Sequence, residues 1–253
     1  MKLQLHSDLH LEMLGAYSIP KLDSDLIILA GDIDTGLYGL EWAEELTRTH
    51  QKPVMYVAGN HEYYREDIVE LTREMREYAA QYDKLIFLEK DELVLDGVRF
   101  LGTTLWTNYF HDLGVVERDR NIDVLDGALN DHRIIKYASE RFSAQRAYEE
   151  NQKAEKWLRQ KLDETFDGRT VVITHHAPSN KCNHREYGLS PFSSGFVSNY
   201  NALIKKATLW CYGHTHSNED FMIGDCRVIS NQAGYPHESV AGNQYETGLV
   251  IEV

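Results

Sequence analysis

The stretch DLIILAGD, residues 25–32, carries the pattern that decides the fold. Its apolar run, LIILA, leaves no polar residue on either face, which predicts a short strand buried on both sides. Gly31 and Asp32 follow at once, so we expect a carboxylate at the carboxyl end of this strand. A buried strand that ends in a polar residue is typical of α/β proteins, which bind ligands at that edge of the sheet.

Runs of the same kind recur along the chain. Strands are predicted at residues 2–6, 25–30, 53–58, 84–88, 98–106, 170–174, 208–212, 226–230 and 248–253. Apolar residues at helical spacing follow Glu66 and Ser139, which predicts two helices that pack on a sheet. Strand and helix alternate early in the chain, whereas its end runs strand after strand. This order predicts one α/β domain over residues 1–253, a four-layer α-β-β-α sandwich of two mixed sheets packed face to face with helices outside.

The composition narrows the classes of function. No apolar run approaches the roughly 18 residues of a membrane span, and the segment MKLQLHSDLH lacks the apolar stretch of a signal peptide. We therefore expect a cytoplasmic protein with no membrane partner. Cys182, Cys211 and Cys226 show no CxxC spacing, so neither a disulfide framework nor a thiolate zinc site is predicted. The formal net charge of −14 disfavours a nucleic-acid partner but leaves room for a small phosphorylated substrate.

Five short motifs place Asp, Asn or His directly after a predicted strand. They are Asp8-Leu9-His10, Gly31-Asp32, Gly59-Asn60-His61-Glu62, His175-His176 and Gly213-His214-Thr215-His216. The carboxyl ends of strands in an α/β sheet converge on one crevice, so groups far apart in sequence can meet there. The pattern predicts a site that is assembled by the fold.

The residue types in these motifs are those of a metal site. Imidazole, carboxylate and amide oxygen together suit Zn, Fe or Mn, and the lack of cysteine argues against a soft-metal site. A carboxylate such as Asp32 has two oxygens and can bridge two metal ions. Two metal ions about 3.5–4 Å apart recur in enzymes that hydrolyse phosphate esters. The candidate ligands are Asp8, His10, Asp32, Asn60, His175, His214 and His216.

These motifs, in this order and over most of the chain, resemble those of the calcineurin-like metallophosphoesterase family. The resemblance implies a centre of two divalent metal ions, Mn, Fe, Zn or Mg, and a metal-bridging hydroxide as nucleophile. It implies that Asp8, His10, Asp32 and His216 hold one ion, and that Asp32, Asn60, His175 and His214 hold the other. It also implies that His61 is a catalytic residue, which stabilises the transferring phosphoryl group or protonates the leaving group.

Two positions leave alternatives open. The family often continues GD into GDxxD, whose second Asp orients the catalytic histidine. This chain has Thr35 at that position and Asp34 one place earlier, so a role for Asp34 beside His61 stays open. The THHAPS run offers both His175 and His176, and comparison with the family's HxPP form favours His175.

Several neighbouring residues have simpler expected roles. Glu62 is expected to orient its loop or a nearby histidine, and Gly31, Gly59 and Gly213 are expected to be turn glycines. The cations Arg65, Arg133 and Arg185, together with Tyr187, are expected to make ordinary surface contacts rather than to bind substrate.

Residues 108–136 and 179–200 are loop-like in composition, and we expect them to determine substrate choice. The sequence as a whole predicts a metal-dependent phosphoesterase that hydrolyses a small phosphorylated substrate, either a phosphodiester or a phosphomonoester. The alternatives are a nuclease of the same fold, or a non-catalytic scaffold that binds metal.

Overall fold

The computed structural model describes residues 1–111, 115–238, 241–242 and 244–253. The strands in these residues are β1 (Lys2–His6), β2 (Leu26–Ala30), β3 (Val54–Val57), β4 (Leu85–Phe87), β5 (Asp91–Leu95), β6 (Val98–Thr103), β7 (Lys136–Tyr137), β8 (Glu140–Arg141), β9 (Arg169–Thr174), β10 (Leu209–Tyr212), β11 (Ser217–Asn218), β12 (Asp220–Ile223), β13 (Cys226–Ser230), β14 (Ala241–Gly242) and β15 (Val250–Glu252). The helices are α1 (Leu11–Leu14), α2 (Tyr38–His50), α3 (Ile68–Ala79), α4 (Val115–Asp126), α5 (Asp131–Ile134), α6 (Ala144–Asp163) and α7 (Asn201–Ile204). Short 3₁₀ turns lie at His61–Tyr63, Asn180–Cys182 and Ser193–Gly195.

Two mixed sheets form the centre of the described chain. The first has the order β15-β1-β2-β3-β4, in which β1 to β4 are parallel and β15 is antiparallel to β1. The second has the order β12-β13-β10-β9-β6-β5, with a parallel centre and antiparallel strands at both edges. Buried strands such as β2 and β3 lack charged residues because both of their faces are covered.

The packing of the two sheets produces four layers. Leu5 and Ile28 of the first sheet pack against Phe100 and Ile173 of the second, in a core that lies between the sheets. The outer face of the first sheet is covered by α2 and α3, and that of the second by α6 and α7. The predicted α-β-β-α sandwich is therefore confirmed.

The helices begin and pack as their sequences dictate. Asp67 caps α3 by accepting hydrogen bonds from the backbone N–H groups of the first turn, and Ser143 caps α6 in the same way. The buried residues of α3, among them Ile68, Leu71 and Met75, recur every three or four positions, so one face of the helix meets the sheet. Among the described residues, no helix is both long enough and apolar enough to cross a bilayer.

Most differences from the sequence prediction occur where tertiary packing overrides local pattern. The strand predicted at residues 98–106 ends at Thr103, since Leu105 and Trp106 adopt the left-handed conformation with φ of 71° and 51°. The prediction that residues 108–136 form loops was wrong, because α4 and α5 lie there. Of residues 117–126 in α4, only Asn121, Ile122 and Leu125 are buried, so its apolar periodicity is weak. Residues 112–114 of that stretch lie outside the described residues. Residues 179–200 contain only short 3₁₀ turns, as expected.

The strand directions bring the five motifs to one edge. The strands β1, β2 and β3 are parallel neighbours in the first sheet, and β9 and β10 are parallel neighbours in the second. Each of these strands is followed by one of the motifs, so their polar residues meet where the carboxyl edges of the two sheets adjoin.

Candidate metal centre

The backbone turns sharply at the candidate ligands. Asp8, His10, Asp32, His214 and His216 have φ values of 52°, 48°, 52°, 75° and 45°, in the left-handed region that residues with a Cβ rarely adopt. Each such residue costs about 1–2 kcal/mol relative to an ordinary conformation. A concentration of strained residues at one edge indicates a functional site, where the surrounding contacts hold the strain.

The glycines of the motifs are required mainly because other side chains lie close to them, and only one of the three has a left-handed conformation. Gly31 has φ of 89°, as expected of a turn glycine. Gly59 and Gly213 have no positive φ, so for these two the prediction was wrong. A Cβ at Gly213 would overlap the side chains of Ser7 and Asp8, and one at Gly59 would overlap Asp32. Glycine is required there because the ligands occupy that space.

Glu62 ties the second and third motifs together. Its carboxylate accepts hydrogen bonds from the backbone N–H groups of Asp32 at 3.1 Å, Ile33 at 2.8 Å and Gly59 at 2.6 Å. The Tyr56 hydroxyl donates to the same carboxylate at 2.7 Å. Glu62 therefore orients the loops, as its place in the motif predicts. Its carboxylate oxygens are occupied by these four donors.

Asp8, His10 and His216 form the first cluster. Their ligand atoms all lie within 4.8 Å of one another. His216 Nε2 lies 3.2 Å from His10 Nε2 and 3.4 Å from Asp8 Oδ1. The Asp8 carboxylate also accepts a hydrogen bond from the backbone N–H of His214 at 2.9 Å, which ties the end of β1 to the end of β10.

The second cluster is built around His175. The Nδ1 of His175 lies 3.0 Å from the carbonyl oxygen of Ala30, to which it donates, so its Nε2 faces the cluster. That Nε2 lies 3.0 Å from Asn60 Oδ1, 3.2 Å from His214 Nδ1 and 3.3 Å from Asp32 Oδ1. The amide orientation of Asn60 is fixed because its Nδ2 donates to Asp131 at 3.0 Å.

Asp32 lies between the two clusters. Its Oδ1 faces His175, whereas its Oδ2 lies 3.9 Å from His61 Nε2. Asp32 also forms a third compact group with His10 and His61, whose ligand atoms lie within 4.8 Å of one another. One carboxylate thus presents an oxygen toward each side, which is the geometry that a bridging ligand requires.

The electrostatics of the cluster call for a cation. Burial lowers the pKa of His175, but the Asp32 carboxylate overcomes this effect and raises it to about 9. Burial likewise opposes a charge on His216, yet Asp8 and Glu238 raise its pKa to about 10. These raised pKa values indicate that positive charge is stabilised beside Asp32 and Asp8. Divalent cations would satisfy the same carboxylate, amide and imidazole donors, so the residues fit such ions.

The structure distinguishes the adjacent histidines. His176 Nδ1 lies 3.2 Å from the carbonyl oxygen of Thr104, and its ring packs 5.0 Å from that of Trp106. Burial and the neighbouring His175 lower the pKa of His176 far below its usual value. His175 belongs to a compact group of side chains that could hold a metal ion. Among the described residues, no such group includes His176.

Carboxylates outside the clusters position the ligands, and these carboxylates were not predicted from the sequence. Glu238 contacts His216 Nδ1 at 2.5 Å, and Asp131 accepts from Asn60 Nδ2. Glu12 Oε1 contacts His10 Nδ1 at 3.2 Å and His61 Nδ1 at 2.9 Å. Position in the DLHLE motif, two residues after a ligand, was a usable signal for Glu12; no local pattern identifies Asp131 or Glu238.

His61 lies beside both clusters. Its Nδ1 pairs with Glu12, and its Nε2 lies 3.2 Å from the Tyr235 hydroxyl. Asp34 instead accepts a hydrogen bond from the backbone N–H of Thr35 at 2.6 Å. Burial lowers the pKa of His61, but Asp32 and Glu12 together raise it above its usual value. The carboxylate that pairs with His61 is thus Glu12 rather than Asp34.

A cleft of about 660 Å³ opens over the clusters. Besides ligand residues, it is lined by residues of the two stretches expected to determine substrate choice, including Leu129, Asp131, Phe192 and Phe196. Tyr187 also lines the cleft, contrary to its expected surface role.

Arg65, Arg133 and Arg185, which were expected to make surface contacts, are not among the described residues that line the cleft. Arg185 forms an exposed ion pair with Glu219, as expected.

Comparison with known proteins gives the family. The calcineurin-like phosphoesterase family model matches residues 6–218. The uncharacterized protein L509 of Acanthamoeba polyphaga mimivirus is 24% identical over 276 residues, which span 94% of this chain and 93% of that protein.

Two solved structures share the fold. The phosphopantetheinyl hydrolase PptH of Mycobacterium tuberculosis has a TM-score of 0.72 at 18% identity and covers 93% of this chain and 90% of its own. TT1561 of Thermus thermophilus has a TM-score of 0.52 at 16% identity and covers 91% of this chain and 88% of its own. The motifs, the fold and the match over residues 6–218 show that this chain belongs to the calcineurin-like phosphoesterase family, whose members are metal-dependent hydrolases.

Proposed function

We propose that this chain, as one domain over residues 1–253, is a dinuclear metal-dependent phosphoesterase that hydrolyses a small phosphorylated substrate. The proposal is supported chiefly by the convergence of ligand atoms on both sides of Asp32. In this assignment Asp8, His10, Asp32 and His216 hold one ion, and Asp32, Asn60, His175 and His214 hold the other.

The side chains have separate tasks in the proposed reaction. When bound, the two ions supply an activated water and positive charge for the phosphoryl oxygens. The Nδ1–H of His61 donates a hydrogen bond to Glu12, so Nε2 lies on the side of Asp32 and Tyr235. From there the Nε2–H of protonated His61 hydrogen-bonds the phosphoryl group, or gives its proton to the leaving oxygen as a general acid and leaves a neutral imidazole.

Two other functions of the same fold receive less support. A nuclease needs cations for the nucleic-acid backbone, but the formal net charge is −14, and the residues described around the cleft include no lysine or arginine. A scaffold that only binds metal has no use for a histidine that is aligned by a carboxylate beside the metal ligands, as His61 is by Glu12.

The proposed activity can be tested with chromogenic esters. Chelated protein should be inactive, and re-addition of Mn, Fe, Zn or Mg should restore hydrolysis of p-nitrophenyl phosphate, of bis(p-nitrophenyl) phosphate or of both. Turnover is followed by absorbance, and bound metal by mass spectrometry. If protein that holds two ions turns over neither ester with any of these metals, it is not a phosphoesterase of this type.

The metal assignment is tested by a matched pair of variants. His175→Asn should lower the bound metal from about two ions per chain to about one, because a ligand of the second ion is removed. His176→Asn should keep about two, since an asparagine can still donate to the Thr104 carbonyl oxygen. Bound metal is measured after dialysis, with circular dichroism as a check of folding. The opposite result would make His176 the ligand.

The role of His61 predicts a loss of turnover without a loss of metal. His61→Ala should lower kcat by a factor on the order of 10² to 10⁴, the contribution of a general acid, while metal content stays near that of the unaltered protein. His50→Ala, at the end of α2 and away from the cleft, is the control and should retain full activity. A fully active His61→Ala protein would remove His61 from the mechanism.

A further inference from the structure

The cleft above the metal ligands has one distinctive wall. We call Leu129, Phe192 and Phe196 the apolar wall, because these three side chains line the cleft together. The Phe196 ring stacks on the ring of His214, with centroids 4.8 Å apart and planes 23° apart. Apolar surface therefore begins directly beside a candidate metal ligand.

The apolar wall is built by two segments that pack on each other. Leu129 follows α4, whereas Phe192 and Phe196 flank the 3₁₀ turn Ser193–Gly195. Gly195 packs closely on two leucines: a Cβ on it would lie 2.8 Å from Leu129 Cδ1 and 3.2 Å from Leu125 Cδ1. The wall is thus held in place by a close contact between distant parts of the chain.

The cleft lining exposes apolar surface, which indicates a ligand. Phe192 is 51% exposed, and Tyr187, which lines the same cleft, is 72% exposed, whereas Leu129 and Phe196 are partly buried. Single exposed apolar residues are common on protein surfaces. Two exposed rings that line one cleft beside candidate metal ligands mark a binding surface for an apolar group.

The charges around the outer cleft disfavour a charged ester group. Asp131 and Glu238 line the cleft, and the described cleft residues include no lysine or arginine to balance them. Two bound divalent ions would neutralise charge on the reacting phosphoryl group, but a second phosphate or a carboxylate elsewhere on the substrate would meet no such cation. A phosphodiester whose second ester group is uncharged avoids this repulsion.

We propose that the cleft binds a phosphodiester in which one ester group is uncharged and mainly apolar, and that this group packs on Leu129, Phe192 and Phe196. The inference deepens the proposed function and rests on it, because the phosphorus must lie at the metal ligands for an ester group to reach the wall. The cleft volume of about 660 Å³ is sufficient for such a group.

A series of diesters with one common leaving group tests the proposal. The p-nitrophenyl esters of methyl phosphate, of hexyl phosphate and of a hexyl phosphate with a terminal carboxylate differ only in the retained group. The kcat/KM of the hexyl ester should exceed that of the methyl ester by about 10- to 100-fold, because the additional methylenes are transferred from water to the apolar wall. The carboxylate-bearing ester and p-nitrophenyl phosphate should both be poorer substrates than the hexyl ester.

An equilibrium measurement gives a readout independent of turnover. Methyl hexylphosphonate should bind about 10-fold or more tightly than methyl methylphosphonate in calorimetry, for the same reason. Phe192→Ser should reduce both hexyl-to-methyl ratios to about a third or less, since it removes part of the wall. The control Met222→Ser removes a side chain that is 53% exposed and does not line the cleft, and should leave the ratios unchanged.

The outcomes separate this inference from the proposed function. Hydrolysis of none of the esters would contradict the phosphoesterase, whereas a hexyl preference in calorimetry would still support the wall. Equal rates for methyl and hexyl esters, or a preference for the carboxylate or the monoester, would overturn the wall proposal and leave the phosphoesterase intact.

A separate observation concerns Glu12. Its Oε1 lies 2.9 Å from His61 Nδ1 and 3.2 Å from His10 Nδ1, and its side chain is 17% exposed. Glu12 is therefore a carboxylate that two imidazoles share.

We infer that Glu12 is a positioning residue, which fixes the ring of His61 so that Nε2 faces the reacting group. The inference rests on the proposed role of His61 and on the pairing geometry. Asp34 does not take this position, because its carboxylate is bound to the backbone of Thr35. A neighbouring carboxylate that sets both ring orientation and tautomer is a general device for working histidines.

A double-mutant cycle tests the role of Glu12. Glu12→Gln should lower kcat by about 10- to 100-fold with a phenyl leaving group and by less with p-nitrophenyl, which needs little protonation. In the His61→Ala background the same change should have almost no further effect. The control Glu41→Gln, on the exposed face of α2, should leave kcat unchanged.

The alternative is that Glu12 serves only His10. In that case Glu12→Gln would lower kcat only through the metal content, and its effect on kcat would persist in the His61→Ala background. Such persistence would overturn the inference, while activity of the unaltered protein would still support the proposed function.

Discussion

The site depends on a contact between the two sheets. The Asp8 carboxylate, at the end of β1, accepts a hydrogen bond from the backbone N–H of His214, which follows β10. The first strand belongs to one sheet and the second to the other, so this bond fixes the distance between their carboxyl edges. The lack of a Cβ on Gly213 is what permits it, because Asp8 and Ser7 fill the space that a side chain would occupy.

The ligands are held in conformations that the backbone would not adopt alone. Asp8, His10, Asp32, His214 and His216 all have left-handed φ values. Strain of this kind persists only where surrounding contacts over-determine the geometry. Glu62 supplies such contacts by binding the backbone of two motifs at once, and the His175 ring is fixed by the Ala30 carbonyl oxygen. The donor set is therefore held by contacts within the protein, which lowers the cost of ordering it around a cation.

The surroundings of the ligands are chemically divided. Glu12, Asp131 and Glu238 each hold a ligand or His61 through a hydrogen bond, so negative charge surrounds the cluster. Phe192 and Phe196 lie along the cleft and carry no charge. Carboxylates that orient imidazole and amide groups favour cation binding, whereas in the proposed function the apolar side chains contact the rest of the substrate. The proposal thus assigns metal binding and substrate selection to different side chains of the cleft.

Much of the fold and most of the candidate ligand set could be predicted from the sequence. The run LIILA and the similar runs predicted the buried strands, because burial on both faces leaves a local signature in a few adjacent residues. Edge strands such as β5, whose residues are half-exposed, carry no such run and were not predicted. The helix α4 was missed because few of its residues 117–126 are buried. The polar residues after these strands could also be identified, because each motif directly follows an apolar run.

Only the tertiary structure decided how these groups pair. That Glu12 rather than Asp34 contacts His61, and that Asp131 holds Asn60, depends on segments that the sheets bring together from distant parts of the chain. The same holds for the apolar wall, in which Leu129 lies with Phe192 and Phe196 in the lining of the cleft. Local sequence determines which residues end each strand, since that choice depends on neighbours along the chain. Which side chains then meet depends on packing between strands and loops, and no local pattern records it.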